Sequence, residues 1–269
     1  MPALLILLCS AHIAHALAPV DQARPDLQGI WVTRETMPQD PRWKIEDFLC
    51  NGAFCSLSQR DYMRAILADP NSDSASLKDL SVKIRAYGKK YIEDLFTVAE
   101  RRTSQGFEQR NDPVNKCVPT GFNFAAGPLP IEIKQFKDHV AIHYEFWNSE
   151  RIVYTDGREH ASSHKLSRLG DSIGWYDGNT LIVETIGIEP HLTYWADGAR
   201  SSPRLRVYEH FTRSEDGSRL QIEKTVVDPI MLKRPLTTVE SRVYAPGVSL
   251  MEFHCDTRYE HGFQPLKTP

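Results

Sequence analysis

The chain has 269 residues, of which 41% are hydrophobic and 25% charged, so it is long and apolar enough to form one domain with a substantial core. Its 32 basic and 35 acidic side chains give a formal net charge of -3 and are spread along the chain. No basic stripe of the kind that neutralises phosphates occurs, and this excludes nucleic acid as an expected partner.

The first 18 residues predict a secretory signal peptide. Residues 3–8 are almost purely aliphatic, and Ala14-His15-Ala16 or Ala16-Leu17-Ala18 fits a small-x-small cleavage site. The basic residue that usually precedes the apolar run is absent. The run is also far shorter than the roughly 20 residues of a membrane-spanning helix. We therefore expect a secreted or periplasmic protein with no membrane span.

Four cysteines remain once the signal is removed, namely Cys50, Cys55, Cys117 and Cys255. An even number in an oxidising compartment predicts two disulfides. Of the three connectivities, Cys50 with Cys55 and Cys117 with Cys255 is favoured, because the first pair is local and the second ties the start of the β region to its last strand. Zinc is the alternative, but this spacing lacks a matching Cys or His pair.

The chain begins its β structure with a short strand at Gly29-Ile30-Trp31-Val32-Thr33. Residues 41–112 then change to apolar spacings of three and four, which predicts a helical insertion. One short helix is expected around Tyr62, and a longer helix is expected from Leu80 to Val98. From Ile131 onward the apolar pattern returns to period two.

Turns rich in glycine, such as Asp177-Gly178-Asn179, separate the later strands. The predicted strands are Ile131–Phe136, His139–Trp147, Arg151–Tyr154, the hairpin Ser172–Thr185, Leu205–Thr212, Leu220–Val227, Thr237–Tyr244 and Val248–Cys255. About ten strands joined by short turns predict a mainly β, antiparallel up-and-down barrel. We expect residues 19–269 to form this single domain.

The strand His139–Trp147 presents two partly apolar faces. If the face of Val140 and Ile142 packs against the helices, then His143, Glu145 and Trp147 point into the barrel. A buried carboxylate such as Glu145 is a candidate acid or base. A solvated outer face explains the same pattern equally well.

The Asp156-Gly157 turn is the centre of a cluster of ionisable residues. A His oriented by a carboxylate is the commonest general base, and an adjacent Arg can hold a developing anion. We therefore predict Asp156, His160 and Glu145 as catalytic residues. An ordinary Asp-Gly turn with a salt bridge is the alternative interpretation of the same sequence. The predicted substrate-binding residues are Arg151, Arg158, His143, Trp147, His164, Trp175, Tyr176 and Glu209.

Neither a metal nor a cofactor is expected. The spacing of His160 and His164 would separate the two rings by roughly 13 Å in an extended chain. No Gly-x-Ser-x-Gly elbow, phosphate loop or dinucleotide fingerprint occurs. Any catalysis is therefore expected to use acid/base chemistry without a cofactor.

The tripeptide Gly29-Ile30-Trp31 is similar to the Gly-x-Trp that opens the first strand of calycin barrels such as lipocalins. In those barrels the Trp closes one end by packing against an Arg from the last strands. The resemblance implies that Arg242 or Arg258 takes that place here.

A second resemblance covers Cys117 to Cys255. Cys117-Val118-Pro119, Asp156-Gly157-Arg158-x-His160 and Ser172–Thr185 resemble motifs of exported bacterial β-rich proteins of unassigned activity. Ala161 and Tyr176 depart from the Pro and Trp of that group. This resemblance implies export and a β-rich fold and brings no reaction with it.

These observations predict a barrel whose interior cup acts on a small apolar or aromatic molecule, as a lyase, isomerase or cyclase. A lipocalin-like carrier of a small hydrophobic ligand is the alternative, and an envelope protein that only contacts other proteins is the third. A carrier should have an apolar lumen, an enzyme should bury charges there, and a contact protein should expose a large apolar patch. The oligomeric state is left open.

Overall fold

A computed structural model describes residues 24–34, 36–37, 39–43, 94–99, 101, 117–119, 129–162, 165–191 and 200–255. Within these ranges, nine strands form a closed barrel, which confirms the predicted mainly β fold. The strands are β1 (Gly29–Val32), β2 (Ile131–Gln135), β3 (His139–Tyr144), β4 (Ser149–Tyr154), β5 (Asp171–Asp177), β6 (Thr180–Ile186), β7 (Arg206–Arg213), β8 (Arg219–Val227) and β9 (Leu236–Tyr244). No described helix has the length and apolar character needed to cross a membrane.

The strands follow one another around the barrel, and β9 closes on β1. Every neighbouring pair is antiparallel except β4 and β5, which pair in parallel at Val153–Ser172 and Tyr154–Ile173. The prediction of a purely antiparallel meander is therefore wrong at this seam. The reason is the connection 155–170, which is long enough to carry the chain back along the barrel, as parallel neighbours require.

Three of the four short turns lie at one end of the barrel. The turns after β2, β5 and β7 are at the end where β1 begins, which we call the closed end. The strand ends that flank the connections 33–130, 187–205 and 228–235 lie at the other end, which we call the loop end, as does the short turn between β3 and β4. Binding sites usually form where long connections meet on a rigid scaffold, so the loop end is where a site is expected.

Trp31 fills the closed end and is fully buried. Its indole donates to the Leu27 carbonyl at 2.9 Å, and the Arg213 guanidinium lies 5.2 Å from its ring centroid. The Arg beside the Trp is thus Arg213 of β7, whereas Arg242 donates to the Trp31 carbonyl at 3.3 Å. Gly29 has φ +114°, and a Cβ there would collide with the Tyr244 ring, which explains the glycine before the tryptophan. Arg258 lies outside the described residues.

Alternate residues on each strand point into the barrel core. This core contains Val140, Ile142 and Tyr144 of β3 together with apolar residues of the other strands. The predicted assignment of that face to an outer helical layer is therefore wrong. A closed barrel buries one face of every strand, and the face left outside carries His143, whose Nε2 lies 2.6 Å from Glu150.

A second apolar cluster lies at the loop end. Its members are Leu95, Phe96, Ile188, Leu205, Val207, Val226, Leu232 and Leu236. Phe96 forms an isolated antiparallel bridge with Leu232. The predicted helix over Leu80–Val98 is therefore wrong at residues 94–97, whereas residues 98, 99 and 101 are helical, and the helical insertion is not confirmed. The remainder of 41–112 lies outside the described residues, apart from 41–43, 94–99 and 101.

The predicted strand Val248–Cys255 is also wrong, because no ladder forms there. The closure of β9 on β1 leaves no free edge for another strand, and side chains hold this segment instead. The Asn148 amide donates to the Phe253 carbonyl at 2.9 Å and accepts from the Phe253 N–H at 2.8 Å. Glu145 Oε2 accepts from the Met251 N–H at 2.9 Å.

The disulfide between Cys117 and Cys255 is confirmed, with a Cα–Cα distance of 5.6 Å. It anchors the segment after β9 to a residue 138 positions earlier in the chain. The other predicted pair, Cys50 with Cys55, lies outside the described residues.

Candidate functional site

An ion pair lies buried inside the barrel. Arg151 of β4 and Glu209 of β7 are each 2% exposed, and Arg151 Nη1 lies 2.7 Å from Glu209 Oε2. Both belong to the inward faces of their strands, where Val153 and Phe211 are neighbours in the period-two pattern. Lys224 Nζ lies 3.9 Å from the other Glu209 oxygen. Because burying charges carries a large desolvation cost, this pair needs an explanation beyond packing.

Further polar side chains surround that pair. Arg242 and Glu240 of β9 form a second buried ion pair through Nε and Oε1. Burial raises the pKa of Tyr144 to about 12, and the charges of Arg151 and Glu209 also act on its phenol. We call Tyr144, Arg151, Glu209, Lys224, Glu240 and Arg242 the interior polar cluster. It offers a phenol that burial keeps protonated at neutral pH, together with two acidic and three basic side chains in the barrel interior.

Stability at alkaline pH is expected to report on Tyr144. Its pKa is raised from 10.0 in the unfolded chain to about 12 in the fold, so the fold holds this proton more tightly. That contribution is fully present below pH 10 and is lost as the pH rises towards 12, by about 2 to 3 kcal/mol in total. The free energy of unfolding, measured with denaturant between pH 8 and 12, should therefore fall less steeply with pH in Tyr144→Phe than in the wild type. Equal slopes would contradict the buried phenol.

An open cleft of about 540 Å³ lies at the seam between β4 and β5. Its walls are Glu150, Arg151, Ile152 and Tyr154 on β4, and residues 167–172 leading into β5. Since β4 and β5 pair at two positions, the first residues of β4 have no ladder partner on the β5 side among the described residues. Arg151 and Ser172 are the most buried lining residues, so the cleft borders the strand position that carries the interior ion pair.

Asp156, a predicted catalytic residue, forms a surface ion pair. Its carboxylate takes two contacts from Arg158, Nε at 2.9 Å and Nη2 at 2.6 Å. The Arg158 guanidinium lowers the pKa of Asp156 and stacks 3.7 Å from the centroid of the Tyr154 ring. Arg158, a predicted substrate-binding residue, therefore lies over a wall of the cleft.

His160 takes a different carboxylate as its partner. Its Nδ1 lies 3.0 Å from Asp171 Oδ2, and its Nε2 lies 3.8 Å from Glu184 Oε2. Glu145, the third predicted catalytic residue, is 5% exposed and accepts from Met251. The three predicted catalytic residues thus have separate partners, and no hydrogen bond joins any two of them in the described structure.

Some of the predicted substrate-binding residues face the barrel interior, and others lie on its outer wall. Arg151 and Glu209 meet in the interior, although they are 58 positions apart in the chain. Tyr176 packs against the core, and its hydroxyl accepts from Gln135 Nε2 at 3.2 Å. Trp175, the next residue along β5, is 41% exposed on the outer wall.

The other aromatic and histidine predictions lie away from the cleft or outside the description. Trp147 has φ +64°, and its ring packs at a tilt against the rings of Phe146 and Phe253, the latter from the segment after β9. His143 is on the outer wall with Glu150. His164 lies outside the described residues.

Several members of the interior polar cluster were not predicted, namely Tyr144, Lys224, Glu240 and the interior role of Arg242. Asp171, the partner of His160, was also not predicted. The sequence signal that could have identified them is a charged residue at a position of a strand where the period-two pattern places an apolar, inward-facing residue. Lys224 follows Ile222 on β8 in this way. Once the inward face is known, such a charge marks the interior polar cluster directly.

Comparisons with family models, curated proteins and solved structures found no match for the chain. The resemblance to exported β-rich proteins therefore stays a prediction. Among the described residues, no group of three or more His, Cys, Asp or Glu side chains is placed to hold a metal ion.

Proposed function

We propose that the chain is an exported, calycin-like enzyme that binds a small apolar or aromatic molecule in the β4–β5 cleft and acts on it by acid/base chemistry without a cofactor. The observation that carries this proposal is the buried Arg151–Glu209 ion pair at the base of the cleft. Replacing such a pair by apolar residues is often neutral or stabilising, so its retention beside an opening favours a chemical role.

The lining of the cleft suits a ligand with an apolar body and one polar group. Ile152, Leu169 and the Tyr154 ring supply apolar surface, and Arg151 supplies a cation at depth. Mostly apolar walls with a few convergent polar groups are typical of small-molecule sites. The apolar run of residues 3–8 and the Cys117–Cys255 disulfide support export.

The chemistry needs a base, an acid and a means of holding negative charge. Glu209 is the proposed base, because its carboxylate can accept a proton from the substrate. Tyr144 is the proposed acid, since burial keeps its phenol protonated at neutral pH. Arg151 would stabilise the anion that forms between the two proton transfers. Isomerisation, elimination and cyclisation each need these three roles and no redox partner.

A non-catalytic carrier is the second candidate. It is favoured by the separation of Asp156, His160 and Glu145, each of which is occupied by another partner. A carrier would use Arg151 to recognise the ligand and would return that ligand unchanged.

The test is ligand binding by a pair of double variants. A panel of small aromatic acids, phenols, ketones and esters is screened by thermal shift against the wild type and Arg151→Met/Glu209→Leu. The control is Lys134→Met/Glu132→Leu, which removes a surface ion pair of β2 with a 3.0 Å separation. We expect a compound that stabilises the wild type and the control but not the interior variant. Equal stabilisation of all three, or of none, would refute the proposed site.

A further inference from the structure

A polar group on the outer wall of the barrel plays no part in the proposed chemistry. It consists of His160 from the connection 155–170, Asp171 of β5, Glu184 of β6, and Arg206 and Tyr208 of β7. We call this group the outer histidine cluster. The side chains of His160 and Glu184 are only 15% and 17% exposed, so these two members are largely shielded from water.

Asp171 determines which nitrogen of His160 carries a proton. Its Oδ2 lies 3.0 Å from His160 Nδ1 and also accepts from the Ala161 N–H at 3.3 Å. Because an ionised carboxylate only accepts, Nδ1 must be the donor. In the neutral ring the lone pair then belongs to Nε2.

His160 Nε2 is buried and has no hydrogen-bond partner among the described residues. It faces Glu184 Oε2 across 3.8 Å, which is too long for a hydrogen bond. With the ring neutral, a lone pair and a carboxylate oxygen face each other across this gap. Two electron-rich atoms in a shielded space are unfavourable unless a positive charge, either a proton on Nε2 or a metal ion, lies between them.

The orientation of Glu184 is also determined by neighbours. Its Oε1 accepts from Arg206 Nη1 at 2.9 Å and from the Tyr208 hydroxyl at 3.0 Å. These bonds turn Oε2 towards His160. Both side chains that face the gap are thus oriented by other residues. Asp171 holds His160, and Arg206 and Tyr208 hold Glu184.

We propose that His160 Nε2 and Glu184 Oε2 bind a divalent first-row transition metal ion, zinc above all, with Asp171 orienting the histidine. A metal-bound His commonly donates its other N–H to a carboxylate, which is the arrangement found here. Imidazole with carboxylate suits zinc, copper and nickel better than magnesium.

The gap is close to the size that zinc requires. Zinc bonds of about 2.0 to 2.1 Å in tetrahedral geometry separate two ligand atoms by roughly 3.4 Å. The observed 3.8 Å is reached from that value by a small side-chain rotation. Two protein ligands leave the remaining positions to water, so the ion would be exchangeable. It would join the connection 155–170, a wall of the cleft, to the sheet.

Zinc titration of the full chain, after removal of metal with a chelator, tests this site. His160→Asn keeps an amide N–H towards Asp171 and removes the Nε2 ligand, and Glu184→Gln removes the second ligand. We expect each to weaken zinc binding at least tenfold in calorimetry. Asp171→Asn should weaken it by about 10- to 100-fold, which is the usual effect of losing the carboxylate behind a metal-bound His. Magnesium should not compete.

The control is His139→Asn. His139 Nδ1 lies 2.8 Å from Asp138 Oδ1, so it is another His–Asp pair of the same chain. The His139→Asn variant should bind zinc with the same affinity as the wild type. The proposal is overturned if the wild type binds no zinc, or if His139→Asn loses as much affinity as Glu184→Gln. Should His160→Asn fail to fold, the Glu184→Gln and Asp171→Asn titrations decide the question.

Discussion

Replacement of Glu209 by leucine is expected to destabilise the protein by about 3 to 5 kcal/mol, because the Arg151 guanidinium then stays buried without the carboxylate that neutralises it. The two groups are 2% exposed and 2.7 Å apart, so water cannot take the place of the missing charge. Urea unfolding at pH 7 measures the loss as a lower midpoint at unchanged slope.

The double variant Arg151→Met/Glu209→Leu should recover most of that loss. Removing both charges also removes the desolvation cost, and apolar side chains of similar volume fill the space. We expect its stability to be within about 1 kcal/mol of the wild type or above it. A single variant that costs less than about 1 kcal/mol would show that Arg151 is not held by Glu209. A double variant as stable as the wild type that no longer binds the ligand would show that the ion pair acts in function and not in stability.

Loss of the Cys117–Cys255 disulfide is expected to cost about 4 to 5 kcal/mol in the chain-entropy model. The bond closes a loop across a sequence separation of 138 residues, and long loops restrict the unfolded chain most. The variant Cys117→Ser/Cys255→Ser should unfold at a clearly lower urea concentration than the wild type.

Chemical reduction of the same disulfide in the wild type is the control for the serine variant. A dithiol reductant should lower the midpoint of the wild type towards that of the double serine variant. It should lower the midpoint of the double variant by less, because only the predicted Cys50–Cys55 bond, which would close a far shorter loop, is left to reduce. A double variant as stable as the oxidised wild type would mean that the bond does not restrict the unfolded chain. The segment around Phe253 should gain the most hydrogen exchange, because side chains alone then hold it to Asn148.

The strands were predictable because each carries its own period-two pattern and its own turn. The hairpin from Ser172 to Thr185 has its turn at Gly178 and Asn179, where the residues alone indicate it. The faces were not predictable from one strand. His139 to Tyr144 is partly apolar on both sides, and closure of the barrel decides that Val140 and Ile142 point inward.

Site prediction failed where neighbours in sequence were taken as neighbours in space. Asp156 and His160 are four positions apart, yet the chain turns between them and His160 pairs with Asp171 of the next strand. The reverse holds for Arg151 and Glu209, which were both predicted but as separate residues. Only the register from β4 around the barrel to β7 brings them together, and no local pattern encodes that distance.

Deuterium uptake is the most direct measurement of the proposed acid/base chemistry. A compound that binds the wild type is incubated with it in heavy water, recovered and weighed by mass spectrometry. We predict that the compound is converted. In an isomerisation deuterium should enter at carbon, because Glu209 removes a proton and Tyr144 returns a solvent-derived one, whereas in an elimination Tyr144 protonates the departing group and the mass falls by that group. Glu209→Gln should abolish either change. A bound compound that returns unchanged and without deuterium, from the wild type as from the variant, would contradict catalysis and leave a carrier.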